Sequence, residues 1–491
     1  MYYKGPHGGN LFEYCPSGAR LILEGITILR IEKTIIGRQR ITLNKARPKF
    51  AFARLTATIL LLASSVCMSN SVLGVGKPEE KGVLPVAASA EEVGMSSERL
   101  LRIDSTLQEY VDSNEVAGVV AMIGRRGKIA YHGAFGMADV ERLSPMQTDT
   151  IFLISQMTKP VVSVAAMMLY EEGRFRLTDP ISKFIPEFEE MMVMVPEDDG
   201  YSLVPANRPI TIRDLLNDTS GIAYRFNAPA PLAEMYAEAG LFDGMAPYSG
   251  TLGESVRVMA RMPLVSHPGQ KWELGMSIDV VGHLVEVISG MPLDRFLDER
   301  IFAPLGMHDT HGFLPEDKMN RLAVVYGPAP EGGLVRYPEG INEVGPYVFT
   351  LELSYGNDPI YYSASSQLVS TASDYGRFLQ MLVSGGELGD VRLLSRKTIE
   401  LMTSNQIGDN YLYFRQSGDK GGLGFAVRTE RGRFDEVESI GSYAWAGIYF
   451  TSFWVDPQEE MWAVLMAGLI PHLHSSLRDV YRILAYQAIA D

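Results

Sequence analysis

The spacing of apolar positions changes several times along the chain, and each change marks an element. Behind Ser96, the residues Leu100, Ile103, Leu107, Tyr110 and Val111 recur at helical intervals, which predicts a capped amphipathic helix. Two apolar runs follow, 117–123 and 128–134, joined by Gly124-Arg125-Arg126-Gly127 in the manner of a hairpin. Val161 to Leu169 is apolar nearly all round, so the helix that carries it is buried and central. Pro160 is tolerated in its first turn, where a backbone N–H has no helical partner, and Gly173 ends it. Thr211 caps a further helix, and 278–288 forms another closed by Gly290. After a helix from about Leu394, β-rich runs at 424–428, 451–455 and 462–467 lead into a final amphipathic helix over 476–490. Strands at both chain ends with helices between them predict an α/β (α+β) fold. It has one antiparallel sheet formed by the two ends (about 96–150 and 376–490), flanked by helices, and an inserted, mainly helical subdomain (about 151–375).

At 491 residues and 46% apolar composition the chain is long enough for one or two sizeable cores. Its net charge of −15 is uneven: residues 1–54 hold ten Lys/Arg and three Asp/Glu, leaving 34 basic against 56 acidic residues beyond them. Such an acidic body argues against a nucleic-acid partner. The basic flank Lys45, Arg47, Lys49 and Arg54, an apolar run over 55–66, and Ser69-Asn70-Ser71 have the order of a secretory signal, and the run is too short to span a membrane. The expected organisation is a non-native extension over 1–42 with translation starting near Leu43, a signal peptide over 43–71, a linker over 72–95 and one domain over 96–490. The expected location is periplasmic or secreted, with no stable membrane span after processing. Both cysteines, Cys15 and Cys67, precede the expected cleavage point, which removes disulfides, thiolate ligands and a cysteine nucleophile from the mature chain. Val66 fits poorly before a lipid-modified Cys67. His472-Leu473-His474 is a weak metal signal, and neither a metal nor a cofactor is expected.

A set of short phrases carries a family resemblance: Asp149-Thr150-Ile151-Phe152, Met157-Thr158-Lys159-Pro160, Leu177-Thr178-Asp179-Pro180, Thr219-Ser220-Gly221, Pro304-Leu305-Gly306-Met307 and Ser370-Thr371-Ala372-Ser373-Asp374-Tyr375. Over roughly 93–490 the chain resembles the serine β-lactamase and penicillin-binding-protein superfamily, nearest to class C β-lactamases and their esterase relatives. The resemblance implies a Ser nucleophile three residues before the helix lysine, a Tyr sharing the acid/base work with that Lys, and a third motif on an edge strand that helps hold the ligand. Lys159 matches the lysine and Trp445-Ala446-Gly447 resembles the third motif in its W-G-G form. The nucleophile position holds Gln156, and the Tyr position after Pro268-Gly269-Gln270-Lys271-Trp272 holds Leu274. The H-T-S-G phrase reads Asp218-Thr219-Ser220-Gly221, and a glycine-rich loop is replaced by Ser363-Ala364-Ser365-Ser366-Gln367.

An amide is not a nucleophile of the alkoxide kind, so the usual acyl-enzyme is not expected. Lys159 could act as a base or form a Schiff base, or could be a relic hydrogen-bonded to Gln156 or to a carbonyl. Gln156 could aim its amide at a ligand carbonyl or could fill the vacated space. Leu274, Trp445, Gly447, Asp218, Ser365 and Tyr224 are expected around the ligand. Glu273, Ser366, Ser155, Tyr361, Tyr362 and Tyr443 are further candidates for a carboxylate, a hydroxyl or a replacement acid. Met157, Trp272, Met276, Tyr361 and Trp445 point to an apolar or aromatic small molecule. The readings order as a repurposed enzyme using Lys159 on a carbonyl compound without an acyl-enzyme, then an inactive ligand-binding pseudo-hydrolase, then an ester or amide hydrolase using another hydroxyl.

Overall fold

A computed structural model describes residues 84–355, 361–412, 419–429, 437–472 and 475–491. The expected extension, the signal peptide and the first half of the linker, 72–83, lie outside these residues. The first helix, α1 (Ser97–Asp112), begins where the pattern places it: the Ser96 side chain accepts a hydrogen bond from the Arg99 N–H. The hairpin follows as β1 (Gly118–Arg125) and β2 (Lys128–Asp139). The central helix is α2 (Thr158–Glu171), the 278–288 pattern is α3 (Ser277–Ser289), and α4 (Ala372–Val383) is capped by Thr371. The C-terminal half of the sheet is β3 (Tyr443–Gly447), β4 (Thr451–Asp456) and β5 (Met461–Ala467), and α5 (Leu477–Gln487) closes the chain.

The sheet is antiparallel throughout, in the order Lys420–Gly421, Ala426–Val427, β3, β4, β5, β1, β2, Ser144–Pro145. The first and last thirds of the sequence meet at its centre, where Val119 pairs with Ala467 and Arg125 with Met461. Alternate side chains of β1 enter two cores. Val119, Ala121 and Ile123 pack with Leu100, Ile103 and Tyr481 of α1 and α5. Val120 and Met122 join the core that contains α2, α3 and Trp462. Because both faces are covered, β1 reads as an unbroken apolar run rather than an alternating one. α2 is buried along Thr158 to Leu169, and each fully buried Val, Leu or Met there contributes about 1.5–3 kcal/mol.

Three expectations need correction. The described part of the expected linker, 84–95, is packed structure: Leu84, Ala90, Val93 and Met95 are buried, and Met95 bridges to Ile489. Apolar residues spaced among Gly and Pro conceal this in the sequence. The strand carrying Trp445 to Gly447 lies inside the sheet rather than at its edge, because the two-residue strands at 420–421 and 426–427 pair beyond it. The inserted region also holds two-stranded ribbons, Met192–Glu197 with Gly200–Pro205 and Ile341–Val344 with Tyr347–Thr350, too short for a periodicity to stand out.

At the bulge between Ile123 and Gly124, a Cβ on Gly124 would lie 2.2 Å from the Trp462 ring. Trp462 is itself pinned by its indole N–H, which donates to Gln380 Oε1 at 2.8 Å. Gly124→Ala should therefore lower the stability read by urea denaturation by about 1–3 kcal/mol. An unchanged midpoint would mean that the indole moves aside freely.

Candidate functional site

The site is built at the start of α2. The turn Ser155–Met157 leads into the helix, and Ser155 sits at φ 45°, a left-handed conformation that a residue with a Cβ adopts at a cost of about 1–3 kcal/mol. Contacts from distant segments hold the turn there. The Ile154 N–H donates to Leu368 O at 3.0 Å, the Tyr375 hydroxyl donates to Met157 O at 2.9 Å, and the Thr451 hydroxyl donates to Ile154 O at 3.3 Å. The end of β3 presses directly against the turn: a Cβ on Gly447 would lie 2.3 Å from Ile154 O, so only glycine fits.

This approach brings Gln156 against the residue after β3. Gln156 Oε1 accepts from the Ile448 backbone N–H at 2.9 Å and from the Ser155 hydroxyl at 3.0 Å. Its amide nitrogen donates to Ser366 Oγ across a long 3.4 Å. The amide thus turns its oxygen, not its N–H, toward the strongest donors. Ser155, considered as a stand-in hydroxyl, is fully buried and committed to Gln156.

Lys159 lies one turn deeper and is 4% exposed. Its ammonium pairs with Asp218, itself 2% exposed, and stands 4.5 Å from the centroid of the Trp445 ring. Asp218 is also left-handed, at φ 58°, a conformation Asp tolerates better than most residues. Burial pushes the Asp218 carboxyl above its usual value; Lys159 opposes this and the Glu273 charge adds to it. Glu273 is mostly buried, bridged to Lys271 at 3.2 Å and to the Asn227 amide at 3.1 Å. Lys159 therefore has a partner that neither sequence reading proposed.

A cleft of about 270 Å³ opens in front of this floor. Gln156, Tyr224, Leu274, Trp445 and Gly447, all expected around the ligand, line it. Lys159 and Asp218 do not; they lie behind the Trp445 ring. Ser365 is also withdrawn, because its hydroxyl donates to Asp279 Oδ2 at 2.7 Å and it is fully buried. Tyr362 and Tyr443 are buried in the main core and Tyr361 opens onto a different cavity, so none of the three is the acid of this cleft.

The far wall is built from residues that no sequence pattern singles out. Phe226 stacks on Tyr224 with centroids 5.2 Å apart and meets Tyr347 edge-on at 5.1 Å, making a continuous aromatic surface from a loop and a ribbon. His472 and Arg478 complete the lining. The Arg478 guanidinium donates to Gly447 O at 3.0 Å and Thr451 O at 3.1 Å, locking the end of β3. Burial, with Arg478 nearby, pushes His472 down to about 4, so at neutral pH its ring is uncharged and stacked on Phe450. Burial raises the Tyr224 hydroxyl well above its ordinary value, and the neighbouring Asp279, Asp218 and Asp243 add to the effect, so it stays protonated.

The family model for beta-lactamases matches residues 103–485. The chain belongs to the beta-lactamase family. Among curated relatives, Protein Rv1367c of Mycobacterium tuberculosis is 32% identical over 381 residues, covering 75% of this chain and 89% of the relative. Esterase EstB of Burkholderia gladioli is 28% identical over 409 residues, covering 80% and 97%. Among solved structures, EstCE1, described as a hydrolase with promiscuous acyltransferase activity, superposes with a TM-score of 0.69 at 26% identity, covering 79% of this chain and 99% of that one. This beta-lactamase family member therefore matches an esterase and a hydrolase with promiscuous acyltransferase activity across almost their whole length.

Two outcomes follow from the buried charges. Lys159→Met strands the Asp218 carboxyl and should cost about 3–5 kcal/mol in urea denaturation. Lys159→Met with Asp218→Asn, whose amide suits the left-handed backbone, should recover most of that loss; no recovery would mean the pair does not set the cost. Asp243 is fully buried and its Oδ2 has no hydrogen-bond partner, and burial raises its carboxyl to about 7. A raised acid contributes stability below its unfolded value of 3.8 and loses it as pH climbs toward 7. The stability difference between Asp243→Asn and the parent should therefore grow in favour of Asn by up to about 1.4 kcal/mol per pH unit over that window. A difference independent of pH would contradict the assignment.

Proposed function

We propose that this beta-lactamase family member is a ligand-binding pseudo-hydrolase: its cleft takes a small apolar or aromatic molecule bearing a carbonyl and forms no acyl-enzyme. The observation that carries the reading is the amide of Gln156, held by the Ile448 N–H and the Ser155 hydroxyl at the mouth of α2. By the family resemblance this is the nucleophile's position, and an amide there has no proton to give up and no alkoxide to form. The lining supports the same reading. Leu274 takes the place of an acid/base Tyr, and the phenol of Tyr224 stays protonated. The ester-cleaving relatives make an acyl group the natural class of ligand, and the aromatic wall of Tyr224, Phe226 and Tyr347 suits an apolar one.

A second reading keeps turnover, with Lys159 performing carbonyl or proton-transfer chemistry. One observation favours it: Asp218 Oδ1 is buried with no hydrogen-bond partner, in a carboxyl already raised by burial, a setting in which a proton can be shared with the amine. Against it, the contacts of Lys159 with Asp218 and Trp445 are those of an ammonium, whereas a Schiff base needs the free amine.

Incubation with a fluorophosphonate, p-nitrophenyl esters and a chromogenic cephalosporin, with intact mass recorded for each, should give neither adduct nor turnover. A covalent adduct on the parent protein would sink the binding reading and return the site to the hydrolases. Turnover without an adduct that Lys159→Ala abolishes would favour the second reading.

A further inference from the structure

The hydrogen bonds around Gln156 describe a receptor that is already occupied. Two donors, the Ile448 backbone N–H and the Ser155 hydroxyl, converge on one amide oxygen at 2.9 and 3.0 Å. The backbones that carry both are fixed by structure remote from the ligand. Ser155 is held in its left-handed turn by the bonds to Ile154 and Met157, and Ile448 follows the glycine that packs on Ile154. A pair of preset donors aimed at a single point is a site for a carbonyl or carboxylate oxygen. The occupant is held chiefly at its oxygen end. The nitrogen end of Gln156 makes only the 3.4 Å contact with Ser366, and the side chain lies on the cleft wall, with solvent to swing into.

The charge of the lining narrows the class of guest. Among the described lining residues Arg478 is the charged one, no carboxylate is present, and His472 is uncharged at neutral pH. The acid nearest the floor, Asp218, is matched by Lys159 behind the Trp445 ring. The opposite wall is the aromatic surface of Tyr224, Phe226 and Tyr347.

We propose that the Gln156 side chain is a built-in, displaceable occupant of this two-donor pocket, and that the external ligand is a small aromatic carboxylic acid whose carboxylate oxygen takes over Ile448 N–H and Ser155 O–H while its ring lies on the aromatic wall. The proposal rests on the binding reading and sharpens it. Displacing Gln156 forfeits its own hydrogen bonds, so the parent protein binds such an acid more weakly than a variant whose donors are vacant. The same swap explains how the pocket stays intact without ligand: two donors that would be stranded are satisfied from within.

The test is isothermal titration of the full chain with phenylacetate, phenylacetamide and phenethylamine, comparing the parent with Gln156→Ala. Gln156→Gly serves as a second variant, and thermal denaturation confirms that each is folded. Phenylacetate should bind Gln156→Ala about tenfold more tightly than the parent. The neutral amide should bind several-fold more weakly than the acid, the amine should not bind, and Ser155→Ala in the Gln156→Ala background should reverse the gain. Equal affinity of parent and both variants for phenylacetate would overturn the displaceable plug while leaving a binding cleft in place. Preference for the amine, or no binding of the acid to any variant, would overturn the carboxylate assignment. Failure of the parent reading would appear elsewhere, as a covalent fluorophosphonate adduct on the parent protein.

Discussion

An ammonium placed inside an apolar helix bundle requires a counter-charge at the same depth, and the arrangement around the cleft follows from how that requirement is met. Asp218 supplies the charge from a left-handed loop position, and Trp445 lays its ring over the other side of the amine. The pair ties α2 to the loop at 218–221, and the indole ties it to β3, so three separate pieces of chain are drawn to one point. Either charge alone would be stranded at this depth, so the two depend on one another. The pair thus specifies where the pieces sit more than it adds to stability.

Above that floor, backbone geometry sets the chemistry. Gly447 lets β3 touch the turn before α2, the turn holds Ser155 in a strained conformation, and Arg478 fastens the strand end from the other side. These features bring the Ile448 N–H and Ser155 to one point beside position 156. A scaffold of this kind can exchange reaction for recognition by altering a few side chains while the donors persist. The esterase and acyltransferase relatives show what else the same architecture supports.

Much of this was legible in the sequence. The caps at Ser96 and Thr211, the all-apolar run of α2 and the strands at both chain ends gave the elements and their order, since each depends on local spacing. The positions of Gln156, Leu274, Trp445 and Gly447 at the cleft were readable from phrases of the family. What was not readable depends on contacts between distant segments. The Asp218 partner of Lys159 is 59 positions away, and nothing near Asp218 separates a buried counter-ion from a solvated cap. Phe226, Tyr347 and Arg478 reach the cleft from a loop, a ribbon and the last helix, each an ordinary residue in its local setting. Ser365 looked like a ligand contact because its loop is rich in hydroxyls, yet Asp279 draws those hydroxyls inward.

The joining of the two chain ends in one sheet has a consequence for synthesis. β1 and β2 are made early, but the strand that covers the free edge of β1, Met461–Ala467, comes more than 300 residues later. During translation the hairpin, apolar on both faces, must wait with that edge open, which makes the nascent chain dependent on protection from association. Gln156 and Ile448 likewise meet only when β3 docks against the turn before α2, so the cleft cannot form before that late strand has joined the sheet.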